Sequence, residues 1–167
     1  MTRWQGDATT ILLLVVSCFS ACSPSEHELR SNVSAKLDQL DRAARTAATA
    51  EEALEAYRRL EELATDADRP FAAIAARIGQ GGAFLRIGQL DSAELVLRGA
   101  AGSAVAVGHD FNAAVAYDGL ATVFERRGWI DSAIVALRYA DTHAERRGEA
   151  HNLLARIRER LSTLEGR

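Results

Sequence analysis

Two segments of this chain, forty residues apart, have almost the same sequence. GQLDSAELVLRGA begins at Gly88 and GWIDSAIVALRYA begins at Gly128. Seven of the 13 aligned positions are identical, among them the glycine and the Asp-Ser-Ala triplet. A repeat of this length is typical of proteins that stack copies of one small structural unit. The duplication therefore limits the possible folds more than any other feature of the sequence.

The composition favours helices. Alanine supplies 32 of the 167 residues, and aromatic residues make up only 6%. Alanine has the highest intrinsic helix propensity, whereas the aromatic and β-branched residues that favour strands are scarce or dispersed. The length suits a single domain, and the net charge is −3. An acidic chain is a poor candidate for binding nucleic acid, because that function requires a basic surface. We expect an all-α fold that does not bind nucleic acid.

Apolar residues around the second copy follow the spacing of a helical hairpin. The first helix has an apolar stripe formed by Tyr117, Leu120, Ala121 and Phe124. Gly128 suits the left-handed conformation at the end of a helix, and Asp131 and Ser132 are expected to cap the next helix. The second stripe consists of Ile130, Ala133, Ile134, Leu137 and Ala140. The pattern predicts two antiparallel helices whose backbones approach closely at Ala121 and Ala133.

This spacing resembles the tetratricopeptide repeat. The motif positions of that family are matched here by Tyr117, Leu120, Ala121, Phe124, Ala133, Leu137 and Ala140. An earlier copy has Gly81, Phe84, Gly88, Ala93, Leu97 and Ala100, although Arg77 and Gln80 stand where large apolar residues are expected. A more degenerate copy has Leu37, Leu40, Ala53, Tyr57 and Leu60. The resemblance implies a right-handed α-solenoid of antiparallel helix hairpins, with about three repeats of period 40 over residues 35–146.

The last segment, residues 147–167, is predicted to form a capping helix. Its apolar side consists of Leu153, Leu154, Ile157, Leu161 and Leu164. Its polar side consists of Arg156, Arg158, Glu159 and Arg160. An array of stacked units needs a terminal helix that is apolar inside and polar outside. We expect the basic face to be solvated; contact with acidic lipid headgroups is the alternative.

The first 22 residues are typical of an export signal. Residues 8–21 contain no charge, but fourteen residues are too few to span a bilayer. VVSC, ending at Cys18, and FSAC, ending at Cys22, each resemble the lipobox of bacterial lipoproteins, which implies that one of the two cysteines is lipidated. The absence of Asp after either cysteine then implies the periplasmic face of the outer membrane. An ordinary cleaved signal or a buried N-terminal helix is the alternative. Residues 23–34 are predicted to be a flexible tether.

The rest of the chain has no pattern typical of a catalytic or metal site. No cysteine follows Cys22, and the four histidines include no HExxH motif, so we expect no metal, no cofactor and no enzymatic activity. The glycines of residues 79–82 are expected to allow close helix packing. His109 and Asp110 are expected to form a loop in which Asp110 caps a helix. The acidic pairs at residues 51–52 and 61–62 are expected to be solvated.

The resemblance also implies a binding surface, because first helices of tetratricopeptide repeats line a groove that holds a peptide or a partner helix. The groove positions carried over to this chain are Asp38, Arg42, Arg45, Ile78, Gly82, Leu85, Arg86, Val115, Asp118, Thr122, Glu125 and Arg126. The Lys and Asn with which that family clamps a terminal carboxylate are absent. We therefore expect an adaptor, lipid-anchored in the bacterial cell envelope, that binds another protein. A self-associating structural module is the alternative, followed by an enzyme or small-ligand binder.

Overall fold

The structure, a computed structural model, describes residues 26–147 and 151–166. About 88% of these residues are helical and none lies in a strand, which confirms the all-α prediction. The predicted signal and both candidate lipidation sites, Cys18 and Cys22, lie outside the described residues. The helices are α1 (Glu26–Thr46), α2 (Ala50–Asp66), α3 (Pro70–Arg86), α4 (Leu90–Ala106), α5 (Asp110–Arg126), α6 (Ile130–Arg147) and α7 (His151–Glu165).

The chain divides into two compact units after Ala35. In the first unit the described residues, 26–35, are helical, so most of the predicted tether is helix. The second unit contains the rest of α1 and the helices α2 to α7. Within it, each helix from α2 to α7 packs against the next, and α3 also packs against α5. The second unit is therefore a set of neighbouring helices with short connections.

Helices α2 to α6 begin at intervals of twenty residues, and three-residue turns join them. The middle residue of each turn has a positive φ: 53° at Asp68, 75° at Gly88, 68° at Gly108 and 75° at Gly128. Glycine enters this region without the steric cost that a side chain brings, so it is favoured directly after a helix. The predicted role of Gly128 is confirmed. The sequence signal was weaker at Asp68, where an aspartate adopts the same conformation.

The core of the second unit consists largely of alanine. Its largest fully buried side chains are those of Leu97, Leu137, Ile157 and Val123. Ala121 and Ala133 are fully buried, as expected for helices that approach closely. The predicted stripes are confirmed, because Leu120, Phe124, Leu137 and Ala140 are also buried and Tyr117, Ile130 and Ile134 pack against them.

The glycines of α3 allow close packing, as predicted. A Cβ atom on Gly79 would lie 2.4 Å from the ring of Tyr57, and one on Gly81 would lie 2.5 Å from Leu97. Nothing lies within 4 Å of the corresponding position on Gly82. Side chains of α2 and α4 therefore rest directly on the α3 backbone at two of the three glycines.

Two predicted helix caps were wrong. Asp131 and Ser132 were expected to cap α6, but α6 begins at Ile130, so both lie inside its first turn. Before α5 the capping residue is His109, whose Nδ1 accepts a hydrogen bond from the Asn112 amide at 3.2 Å, and not Asp110. The acidic residue still lies in the first turn in both helices, where it interacts favourably with the helix dipole.

Candidate functional site

The α5 part of the predicted groove is covered by α7. Arg160 of α7 donates hydrogen bonds to Thr122 at 3.1 Å and to Glu125 at 2.6 Å, and it also binds the carboxylate of Asp118. Arg156 donates to the second Asp118 oxygen at 2.6 Å. The Asp118 side chain is consequently only 11% exposed. Three of the predicted partner-binding residues are thus occupied within the same chain.

The expectation that Arg156, Arg158 and Arg160 form a solvated face was wrong for Arg160, whose side chain is 23% exposed. Arg158 is half-exposed and binds two carboxylates of α6, those of Asp141, at 2.8 Å, and Glu145. The hydrogen bond from Asp141 raises the pKa of the Arg158 guanidinium, with Glu145 adding to the effect and desolvation opposing it. Helix α7 is therefore held by ion pairs as well as by its buried Ile157 and Leu164.

The apolar groove positions face the core. Leu85 is 9% exposed and belongs to the main core cluster, so the prediction that it contacts a partner was wrong. Ile78 is half-buried and packs against the same cluster. Val115 is also half-buried. Burial of these apolar side chains stabilises the fold, and it leaves little apolar surface at these positions for a ligand.

Six groove positions stay exposed: Asp38, Gly82 and four arginines on α1, α3 and α5, which are Arg42, Arg45, Arg86 and Arg126. Arg45 donates to Asp41 at 2.7 Å on the same helix, and this hydrogen bond raises the pKa of Arg45. Arg126 donates to the main-chain carbonyl of Leu85, at the end of α3. Arg42 and Arg86 form no ion pair with any residue of the described ranges. We call these four arginines the arginine face.

Tyr57 connects the arginine face to the packing of α3. Burial raises the pKa of the Tyr57 hydroxyl, and the nearby charges of Arg45 and Arg86 oppose that effect while Asp41 adds to it. The ring itself rests on Gly79. Tyr57 therefore brings a hydroxyl group close to arginines from two different helices, α1 and α3.

A buried polar cluster that the sequence did not predict joins α2 to α3 and α4. Glu61 accepts hydrogen bonds from Arg77 at 2.5 Å and from Gln80 at 2.6 Å, and Arg77 also reaches Ser103 of α4 at 3.4 Å. Glu61 was expected to be solvated, which was wrong: its side chain is 25% exposed. Arg77 and Gln80 stand at motif positions that usually hold apolar residues, and this was the signal for the cluster that the sequence offered. These polar side chains are compatible with burial because each is hydrogen-bonded.

A second polar cluster links the turn after α5 to the start of α4. Arg127 binds both Asp91 and Glu94, and its guanidinium lies 4.7 Å from the centre of the Trp129 ring. Burial of Glu94 would raise its pKa, but hydrogen bonds from Arg98 and Arg127 outweigh burial and hold the pKa below its usual value. Asp91, which belongs to the Asp-Ser-Ala triplet that is identical in the two copies, therefore makes a long-range contact.

His143 is the only buried histidine in the described part of the chain. Its Nδ1 lies 2.7 Å from Asp110, and its ring stacks on Tyr117 at 5.8 Å between centroids.

No group of three or more His, Cys, Asp or Glu residues within the described ranges could hold a metal ion. No helix in those ranges has both the length and the apolar character needed to cross a membrane.

A cleft of about 320 Å³ opens between α4 and α6, and the sequence did not predict it. Its floor consists of Tyr117, Leu120 and Phe124 of α5. Its walls consist of Arg98 on α4 and of Asp131, Ser132, Val135, Ala136 and Tyr139 on α6. Tyr139 stacks on Tyr117 at 5.1 Å and is still 54% exposed. The walls of this cleft lie on α4 and α6, which are not among the predicted groove helices, and none of its residues is a predicted groove position.

Comparison of the chain with protein-family models, with curated proteins and with solved structures found no match.

Proposed function

We propose that this protein is a lipid-anchored adaptor of the bacterial cell envelope, built from tetratricopeptide-like hairpins, which binds an acidic segment of another protein. The regular helix starts, the positive φ in every turn from α2 to α6 and the packing of α3 against α5 support a stacked-hairpin interpretation. The sequence of the first 22 residues supports the anchor. In this proposal α7 caps the array.

The arginine face is the observation on which the choice of partner rests. Most arginines of α3 to α7 bind carboxylates, but the exposed Arg42 and Arg86 have none within the described ranges, and Arg126 has only a carbonyl. Two of the three acidic groove positions, Asp118 and Glu125, are neutralised by Arg160, and the third, Asp38, is exposed on α1. Exposed arginines gain charge-assisted, bidentate hydrogen bonds from Asp or Glu side chains. A partner with clustered carboxylates satisfies this surface best.

Gly82 supports the same surface. It is exposed on α3, one turn before Arg86, and nothing lies within 4 Å of the position that its Cβ would occupy. A partner backbone can therefore approach α3 closely at this point. The cost of a helical glycine, about 1 kcal/mol relative to alanine, has no compensation from packing within the described chain.

The test is photocrosslinking in cells from a photoreactive residue that replaces Gly82 in the full-length protein. We expect a protein adduct whose yield falls about tenfold when Arg42→Glu and Arg86→Glu are introduced together. The matched control is Arg58→Glu with Arg59→Glu on α2, which should leave the yield unchanged. An adduct that is insensitive to the first pair, or equally sensitive to both pairs, would contradict the acidic partner.

The anchor is tested separately by metabolic labelling with a fatty-acid probe. We expect the wild-type chain to be labelled and exactly one of the variants Cys18→Ala and Cys22→Ala to lose the label. An unlabelled wild-type protein would exclude the lipid anchor without affecting the proposal for the arginine face.

A further inference from the structure

The exposed side of α4 has apolar and small residues beside Arg98, whose side chain is 61% exposed. Leu95 is 75% exposed and Val105 is 48% exposed, the former being the most exposed large apolar residue described. Between them Gly99 and Gly102 are exposed, with nothing within 4 Å of their Cβ positions. Surface glycines weaken a helix, and packing inside the chain explains neither of them. This side of α4 thus has the exposed apolar area and the small residues of a surface that contacts another helix.

The neighbouring helix α6 continues this surface. Val135 and Tyr139 are about half exposed, and they form one wall of the cleft between α4 and α6. Leu95 and Val135 are each the sixth residue of their helix. The surface therefore contains both a projecting apolar side chain, Leu95, and an apolar cleft beside it. We call Leu95, Gly99, Gly102, Val135 and Tyr139 the α4–α6 face.

We propose that the α4–α6 face binds the same face of a second copy of this chain in a two-fold dimer, with Leu95 of each copy in the cleft of the other. A surface that contains both the projection and the cleft is self-complementary, as an isologous interface requires. The arginine face lies on α1, α3 and α5, so a dimer of this kind leaves it free for another protein.

The order of α2, α4 and α6 across this surface determines which helices of the two copies face each other in the dimer. Arg77 of α3 contacts Glu61 of α2 and Ser103 of α4, so α2 and α4 lie on either side of α3. The cleft shows that α4 and α6 lie on either side of α5 in the same way. Helix α4 is therefore in the middle. A two-fold axis that runs parallel to α4, between α4 and the cleft, sets Leu95 of each copy against the cleft of the other and places α2 of one copy towards α6 of the other.

Charge favours this direction. The exposed charged residues of α2 are five acidic and two basic: Glu51, Glu52, Glu55, Arg58, Arg59, Glu62 and Asp66. Those of α6 are two acidic and three basic, namely Asp131, Arg138, Glu145, Arg146 and Arg147, and within the chain Arg138 binds Glu165 of α7 and Glu145 binds Arg158 of α7. The parallel dimer therefore sets the acidic helix α2 against a helix whose charges are nearly balanced. The other two-fold arrangement, which sets α2 against α2, places like charges opposite each other.

The available area is sufficient. Helices of 17 residues are about 25 Å long, and three helices about 10 Å apart form a face about 30 Å wide. Such a face offers roughly 750 Å² on each copy, close to the approximately 800 Å² per partner of a standard stable interface.

The experiment uses two differently tagged full-length chains expressed together and solubilised in mild detergent. We expect one tag to copurify the other, and a photoreactive residue at Leu95 to give an adduct of twice the chain mass whose crosslinked peptide comes from the α4–α6 cleft. Leu95→Asp should reduce copurification about tenfold, and Gly99→Ala with Gly102→Ala should reduce it as well. Ala155→Asp on the exposed side of α7 is the control and should leave it unchanged, and thermal melting verifies that every variant is folded.

Three results would overturn the dimer: no copurification of wild-type copies, adducts from Leu95 that contain only another protein or only lipid, or equal losses for Leu95→Asp and Ala155→Asp. None of these results depends on the acidic partner, because the crosslink from Gly82 and the variants Arg42→Glu and Arg86→Glu report on the arginine face alone.

Discussion

The guanidinium of Arg160 lies 2.6 Å from the carboxylate of Glu125, which is 35 residues earlier in the chain. The same guanidinium binds Asp118, whose side chain is nearly buried. One residue of the last helix thus neutralises two acids of α5. This contact explains both why α7 stays on α5 and why part of the predicted groove is closed.

Replacing Arg160 with Ala should destabilise the fold by roughly 3 kcal/mol, because it leaves the carboxylate of Asp118 buried with a weakened set of partners. Arg156→Ala removes a contact to the same carboxylate, but from a side chain that is 57% exposed, and should cost less than about 1 kcal/mol. Denaturant unfolding measures the loss of stability in both variants. Amide hydrogen exchange in α7 should increase more in Arg160→Ala than in Arg156→Ala. Equal effects of the two substitutions would refute this role of Arg160.

Gly79→Ala should destabilise the protein by about 1–3 kcal/mol, since the new methyl group would lie 2.4 Å from the Tyr57 ring in a packed interface. Gly82→Ala on the same helix meets nothing within 4 Å and should stabilise the helix by up to about 1 kcal/mol. Melting temperatures of the two variants should therefore move in opposite directions. A shift of the same sign in both would mean that Tyr57 does not rest on Gly79.

Substitution of the adjacent residues Glu61 and Glu62 should change the stability of the protein by very different amounts. Glu61→Ala removes the acceptor of Arg77 and of the buried Gln80, so a cost of about 1–3 kcal/mol is expected from their unsatisfied donors. Glu62→Ala changes an exposed side chain and should stay within about 0.5 kcal/mol. Urea denaturation of the two single variants measures the difference, and comparable losses would be inconsistent with the cluster.

Acidification should weaken the contact between α4 and the turn after α5. The pKa of Glu94 is lowered in the folded state, so its contribution to stability is present above the usual value of 4.5 and is lost as the pH falls through the lower, folded pKa. The variant Glu94→Gln should lose less stability than the wild type between pH 7 and about pH 3. Glu62→Gln, an exposed control, should follow the wild-type curve. A Glu94→Gln curve parallel to the wild type would exclude this linkage.

Much of the architecture could be predicted from the sequence because its determinants are local. Alanine content and apolar spacing set the helices, and glycines with positive φ end them, as at Gly128. Motif matching also located the two buried stripes that contain Leu120 and Leu137. The helix starts were less accurate, since α6 begins one residue before Asp131, and His109 rather than Asp110 caps α5. A cap depends on one backbone position, which periodicity does not fix.

The candidate surfaces depended on contacts that no local pattern encodes. The sequence by itself determined an all-helical chain, its turns and the residues of its core, because helical periodicity and backbone conformation act over a few residues. Only the tertiary structure decided that Arg160 covers Asp118, that Arg77 and Gln80 share Glu61, and that Leu95 stays exposed. Charged side chains are long and accept any opposite charge within reach, so their partners are fixed only when the packing of the helices brings specific residues together.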